Sequence, residues 1–198
     1  MEKNYSGAGI LIIDTYKEKP CVLLFTKNQG EYHDLGGSID RKDKKNKYAV
    51  ELTAVREAQE ESANTLQIKS LKLIQSLSHV DLKYHNDYYR CYILYLKHKF
   101  PTKAYHNNVN ILTKLIEHNV IPHQWRETNK FVRIYLTDLM NCKNYNTCKT
   151  IDNHMIDIKD RTRNVFVQLF QTMPVLKPHT GILTIDSELW NTQTLILS

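Results

Sequence analysis

At 198 residues, with 41% hydrophobic residues and a mean hydropathy of −0.49, the chain has the size and balance of one soluble domain with a proper core. No apolar run approaches the roughly 18 residues of a membrane helix. The start, MEKNYSGAGILIID, lacks the parts of a signal peptide, and four scattered cysteines are too few for a disulfide framework. These features predict a cytoplasmic protein with free thiols, and the net charge of +6 suits a polyanionic partner, a phosphorylated small molecule or RNA. The bias toward Lys, Asn, Ile and Tyr would follow equally from an AT-rich genome.

The run Ala8–Ile13 reads as a buried first strand. Lys19-Pro20 breaks it, and Cys21–Phe25 reads as the second arm of a hairpin. Lys27–Gly30 is a turn, and Glu31–Leu35 leads into Gly36-Gly37. Residues 41–47 (RKDKKNK) form a basic loop, and Tyr48–Leu66 carries a helical pattern. Leu66–Ile68 and Leu71–Leu77 read as strand-like, Asp81–Asp87 as a turn region, and Tyr88–Leu96 as the strongest strand in the chain. Its tyrosines fit a half-buried core better than a base-stacking platform. Apolar residues at 109, 112, 115 and 116 predict a short helix within 101–121, followed by a loop with Trp125 and Glu127 and a strand at Phe131–Leu136. Asn141–Asn153 reads as a polar loop, and Ile156–Phe170 as an amphipathic helix with Val165 and Leu169 inward and Arg161 and Arg163 outward. Residues 180–185 read as an edge strand within the tail. Cys142 and Cys148 lack partners at zinc spacing, so a metal knuckle is not expected.

The stretch that carries chemistry is Arg56-Glu57-Ala58-Gln59-Glu60-Glu61. On a helix, Glu57, Glu60 and Glu61 share one side while Ala54, Val55 and Ala58 face another. Glutamates at this spacing are commonly a solvated face. Three carboxylates so close also repel one another unless a cation lies between them, and hard oxygen ligands suit Mg²⁺ or Mn²⁺. Arg56 is placed to reach Glu60 one turn on.

With Gly37 upstream, the stretch resembles the Nudix box, G-x5-E-x7-R-E-U-x-E-E-x-G-U. Gly37 matches the opening glycine, and Arg56, Glu57, Ala58, Glu60 and Glu61 match the R-E-U-x-E-E block. From Gly37 to Arg56 the chain holds five more residues than the pattern. The first box Glu accordingly falls on Asp43 counting forward and on Tyr48 counting back. The late glycine is Ala63, followed by Asn64, a residue that tolerates a left-handed helix cap.

The resemblance implies a single Nudix-like domain over 1–198, an α/β/α sandwich with a mixed sheet, its core spanning about 6–172 and its tail 173–198. It implies a metal-dependent hydrolase that cleaves a pyrophosphate bond in a nucleoside diphosphate linked to another moiety, capped RNA among the candidates. Glu57, Glu60 and Glu61 would bind Mg²⁺ or Mn²⁺, Glu60 or Glu127 would act as the base, and Glu127 could instead be an extra metal ligand. Arg56 would order the carboxylates. Gly37 would lie against substrate, and Lys42, Lys44 and Lys45 either clamp phosphate or belong to a solvated loop. The alternative is a catalytically reduced domain that binds nucleotide or RNA without cleaving it. Many relatives dimerise, and a homodimer is compatible with the strand-rich pattern.

Overall fold

The computed structural model describes residues 3–26, 30–84 and 86–172, and the backbone of 184–185. The central strand β1 (Tyr5–Tyr16) is buried from residue 7 to residue 14. Because side chains alternate across a strand, Ala8, Ile10 and Ile12 enter one core cluster while Leu11 and Ile13 enter another. A strand apolar on both parities needs cover on both faces, which is the physical content of an α/β/α sandwich.

The strand β2 (Lys19–Thr26) folds back antiparallel on the C-terminal half of β1, with Ile12 opposite Leu23. β3 (Leu35–Ser38) takes the same edge of the N-terminal half, with Gly9 opposite Gly36. On the other edge, β5 (Asp87–Leu96) runs parallel to β1, which makes the sheet mixed. β4 (His79–Tyr84) and β6 (Lys130–Tyr135) complete the order β4-β5-β1-β2-β6.

One face is covered by α1 (Ala49–Glu61), α2 (Leu71–Ser76) and α3 (Thr102–Glu117), through Ala54, Ala58, Ile74, Tyr105 and Leu112. The other carries α4 (Leu136–Met140), the small hairpin β7 (Thr147–Lys149) and β8 (Met155–Asp157), and α5 (Asp160–Thr172), through Leu139, Cys148, Ile156, Val165 and Leu169. Thr184–Ile185 (β9) pairs parallel with Tyr95–Leu96. Most of the 173–198 tail, residues 180–183 included, lies outside the described residues, as do residues 27–29 of the first turn. Among the described residues no helix is long and apolar enough to cross a membrane.

Five expectations need correction. Leu66–Ile68 forms no strand and runs as irregular chain between α1 and α2, with Leu66 and Ile68 buried in the core. Leu71–Ser76 is a helix, because Leu71, Ile74 and Leu77 recur every third residue and Ile74 and the capping Leu77 reach the core. Residues 81–84 belong to β4, where Val80 and Leu82 point inward and Asp81 faces Arg90 across the ladder. The 141–153 segment contains β7, and its partner β8 takes the first residues expected in α5. Arg161 points inward, while Val165 and Leu169 are buried as expected.

The helix α1 stops before Leu66 through a Schellman cap. Asn64 N–H donates to Gln59 O at 2.7 Å and Ala63 N–H to Glu60 O at 3.2 Å. Ala63 takes φ 50° and Asn64 φ 55°, so an alanine holds the left-handed position that glycine favours. Ala63 is also fully buried. Replacing it with a β-branched residue adds strain at positive φ and overpacks the site. Ala63→Val is expected to lower stability by about 2–3 kcal/mol and Ala63→Gly to stay within about 1 kcal/mol of wild type, as read by urea unfolding.

Candidate metal and phosphate site

The site begins where β3 and α1 touch. A Cβ on Gly37 would occupy the space of the Glu57 carboxylate, and one on Gly36 would collide with the Tyr89 hydroxyl. With no side chain at Gly37, α1 lies close enough for Gly36 N–H to donate to Glu61 Oε2 at 2.6 Å, while bare Gly36 leaves room for Tyr89 on the other face. Arg56 closes the same junction from the helix, donating through Nη2 to Ser38 O at 3.0 Å.

Oxygens of Glu57, Glu61 and Glu127 all lie within 4.8 Å of one another. The first two come from α1. Glu127 comes from the end of a short 3-10 helix (His123–Arg126), far away in sequence. Burial raises the pKa of Glu57, and Glu60 and Glu127 raise it further against the opposing Arg56. Glu61 is pushed well above the ordinary range by burial, with Glu57 and Asp34 adding, while Arg161 and the Gly36 N–H work the other way. Carboxylates held close, with raised proton affinities despite the neighbouring Arg56 and Arg161, are the donor set a hard divalent cation satisfies, so the residues fit such an ion.

Glu60 is placed differently. Arg56 Nη1 donates to its Oε2 at 2.9 Å, while Arg56 Nη2 meets Glu57 Oε1 at 2.7 Å. Burial raises Glu60's pKa, Arg56 lowers it, and Glu127 and Asp40 raise it. Although burial works against the guanidinium charge, Glu57, Glu60 and Asp40 raise the Arg56 pKa. Glu60 does not share the convergence of the other three.

The carboxylates open into a cleft of about 690 Å³, lined also by His33, Gly37, Lys159 and Arg161. Arg161 is held there by Asp34, which is fully buried. Tyr89 Oη donates to Asp34 Oδ2 at 2.6 Å, Thr162 Oγ1 to Oδ1 at 2.6 Å, and Arg161 Nε to Oδ1 at 3.2 Å. Burial alone would raise the Asp34 pKa, but Arg161, Thr162 and Tyr89 outweigh it and lower it. Arg161 also stacks over the Tyr89 ring at 4.7 Å. His33 Nδ1 lies 2.8 Å from Asp34 O and 3.7 Å from Glu61 Oε1. Burial lowers the His33 pKa, so its Nδ1–H serves the carbonyl and the Glu61 contact is not an ion pair at neutral pH. Lys159 is exposed at the rim.

The basic loop is placed elsewhere. Lys42 approaches Asp40 at 3.6 Å, Lys45 is exposed, and Lys44 lines a separate cavity of about 590 Å³ together with Lys47, Lys3 and Arg90. None of Lys42, Lys44 and Lys45 lines the carboxylate cleft. Asp43 is not in the carboxylate cluster. Asp40 is the loop acid that approaches Arg56, with Oδ2 3.7 Å from Nε. His33, Asp34, Lys159 and Arg161 were not legible as site residues, because β3, β8 and α5 meet only in three dimensions. The Asp34 side chain beside Gly36-Gly37 was the available signal. Trp125 packs against the core, consistent with a loop anchor.

No protein-family model matches the chain, and no curated protein matches it. Solved structures similar to it include the Nudix domain of Shewanella oneidensis NrtR complexed with ADP ribose. That match has 12% identity and a TM-score of 0.46, and covers 87% of this chain and 90% of that one. A C. elegans Ap4A hydrolase binary complex is similar at 15% identity and a TM-score of 0.38, covering 70% and 86%. The Bacillus subtilis pyrophosphohydrolase BsRppH is similar at 14% identity and a TM-score of 0.39, covering 72% of each chain.

An acid whose pKa is raised by folding makes the folded state bind more protons than the unfolded one. Its contribution to stability therefore falls as pH rises through the interval from the ordinary glutamate value to the raised one. In metal-free protein, Glu61→Gln keeps an acceptor for Gly36 N–H and removes that charge. It is expected to be more stable than wild type at pH 7, by about 1 kcal/mol, and to lose the advantage below pH ~4. Thermal unfolding across pH, with a chelator present, reads both effects.

Proposed function

We propose that this chain is a divalent-metal-dependent hydrolase acting on the pyrophosphate bond of a nucleoside diphosphate linked to another moiety. The observation that carries the reading is the convergence of Glu57 and Glu61 from a helix with Glu127 from a distant loop, in a cleft also lined by Lys159 and Arg161. Carboxylates and cations lining one cleft are the complement of a metal-bound polyphosphate. The box resemblance of Gly37 and Arg56–Glu61 points the same way.

Glu57, Glu61 and Glu127 would hold Mg²⁺ or Mn²⁺. When bound, the ion supplies charge neutralisation for the pyrophosphate oxygens and acidifies water. Arg56 keeps Glu57 and Glu60 in fixed rotamers and acts through them. A carboxylate must take the proton from the attacking water within hydrogen-bond reach. Glu127 is given that role, because it is the half-exposed member that arrives from a loop, whereas Glu60 is occupied by Arg56. Lys159 and Arg161 bind the phosphate groups. Arg161 is held on Asp34, so it meets charge already oriented, while Lys159 brings mobile charge from the rim.

The test is turnover with Mg²⁺ and Mn²⁺ across nucleoside triphosphates, ADP-ribose, dinucleoside polyphosphates, diphosphoinositols and capped RNA. Turnover on one class identifies the substrate. Metal-dependent binding of one member with no product would replace this reading with a catalytically reduced binding domain. Glu57→Gln, Glu61→Gln and Glu127→Gln are each expected to lower kcat by about 10²-fold or more, and Glu60→Gln by only about tenfold. A Glu60→Gln loss equal to the other three would return that residue to the ligand set. Lys159→Ala is expected to raise KM about tenfold with kcat nearly unchanged, which a steady-state titration separates from a chemical defect.

A further inference from the structure

Cys142 and Cys148 face each other with their sulfurs 3.1 Å apart, and both are free thiols. The approach is built by the chain between them. Cys142 follows α4, its N–H held by Leu139 O at 3.1 Å. Tyr145 then turns the chain in the left-handed region, at φ 53°. A tyrosine in that conformation needs support, and its ring packs against Phe166 and Phe170 of α5, each at 5.9 Å between centroids. The returning strand β7 is fixed by its ladder, Cys148 opposite Ile156. Two anchored ends and one anchored turn therefore hold the thiols together.

The pair is also asymmetric. Cys148 is buried and Cys142 half-exposed. Burial first, and then the neighbouring Cys142, push the Cys148 thiol up, so it stays protonated while a solvent oxidant reaches Cys142 first. Cys21 and Cys91 are fully buried.

We propose that Cys142 and Cys148 form a reversible oxidation site, converted to an intramolecular disulfide by a peroxide. The Cys142 thiolate attacks hydrogen peroxide, forming the S–O bond of a sulfenic acid as the O–O bond breaks and hydroxide leaves. The Cys148 sulfur then displaces that sulfenic hydroxyl. The S–S bond forms, and the Cys148 proton leaves with the hydroxyl as water. Two thiols are oxidised by two electrons, and one peroxide is reduced to two waters. The sulfurs need to close by only about 1 Å to reach bonding distance.

The consequence falls on the hairpin beside the cleft. β8 continues through Ile158, whose N–H donates to Asn146 O at 2.9 Å, to Lys159, whose N–H donates to Tyr32 O at 2.9 Å. A bond across the base of this turn restricts the segment that carries Lys159, and it stabilises the fold by restraining the unfolded chain over a short loop.

The full chain, reduced and then exposed to hydrogen peroxide, is alkylated and digested with trypsin, which cuts after Lys143 and Lys149 between and beyond the two cysteines. The expected product is one species linking the peptides 134–143 and 144–149, separated again by reductant. Free thiols fall from the four of the reduced chain to two, and the melting temperature rises by about 2–5 °C. In Cys142→Ser, neither the link nor the rise occurs. Retention of all four thiols, loss of Cys21 or Cys91 instead, a disulfide between chains, or over-oxidation at Cys142 without a link would each overturn the proposal. A link without any melting shift would overturn its stabilising consequence.

Discussion

Burying like charges side by side is the constraint that shapes this molecule. Glu57, Glu60 and Glu61 are each under 10% exposed, and a water-free carboxylate is stable only with donors or cations around it. The chain distributes that burden. Arg56 takes Glu57 and Glu60 together, and the Gly36 N–H takes one oxygen of Glu61. What is left over, a raised proton affinity at all three, is the electrostatic deficit that a cation would fill. The burial that forms the site thus also sets its demand for positive charge.

A second buried acid solves the same problem differently. Asp34 has enough partners to stay ionised, so it behaves as a structural anion. Through Tyr89 on β5 and Thr162 and Arg161 on α5, it ties the α5 face of the sheet to the strand that carries Gly36 and Gly37. Two carboxylates only a few residues apart in space, Asp34 and Glu61, therefore have opposite characters. One is satisfied by protein groups and the other is left wanting.

Much of the architecture was legible in the residues. The all-apolar run of β1 announced a strand covered on both faces, and Ala54 and Ala58 marked the side of α1 that meets the sheet. The Arg56-to-Glu60 reach was a consequence of helical spacing alone and is seen at 2.9 Å. Where the reading failed, two periods fitted the same letters. Leu71–Leu77 satisfies both alternation and a three-residue repeat, and only packing against α1 decides between them. The polar residues of β4 hid a half-buried strand, because the inward pair Val80 and Leu82 is short. The cleft's cations escaped notice for a different reason. Lys159 and Arg161 sit in an amphipathic helix and its leader, where charge normally signals solvent, and nothing local shows that Asp34 lies opposite.

The clasp between β3 and α1 has a further consequence for how such a chain can change over generations. Ser38 O is held by Arg56 and Gly36 N–H by Glu61, so both ends of the intervening loop are fixed by the helix itself. The chain between them closes a gap whose width does not depend on its length. Lengthening a closed flexible loop by half adds well under 1 kcal/mol. Residues added to this loop are thus nearly invisible to the geometry around it. Insertions at this point are available to variation as almost neutral material, free to acquire lysines, a second cavity or a contact with another molecule while the carboxylates stay in register.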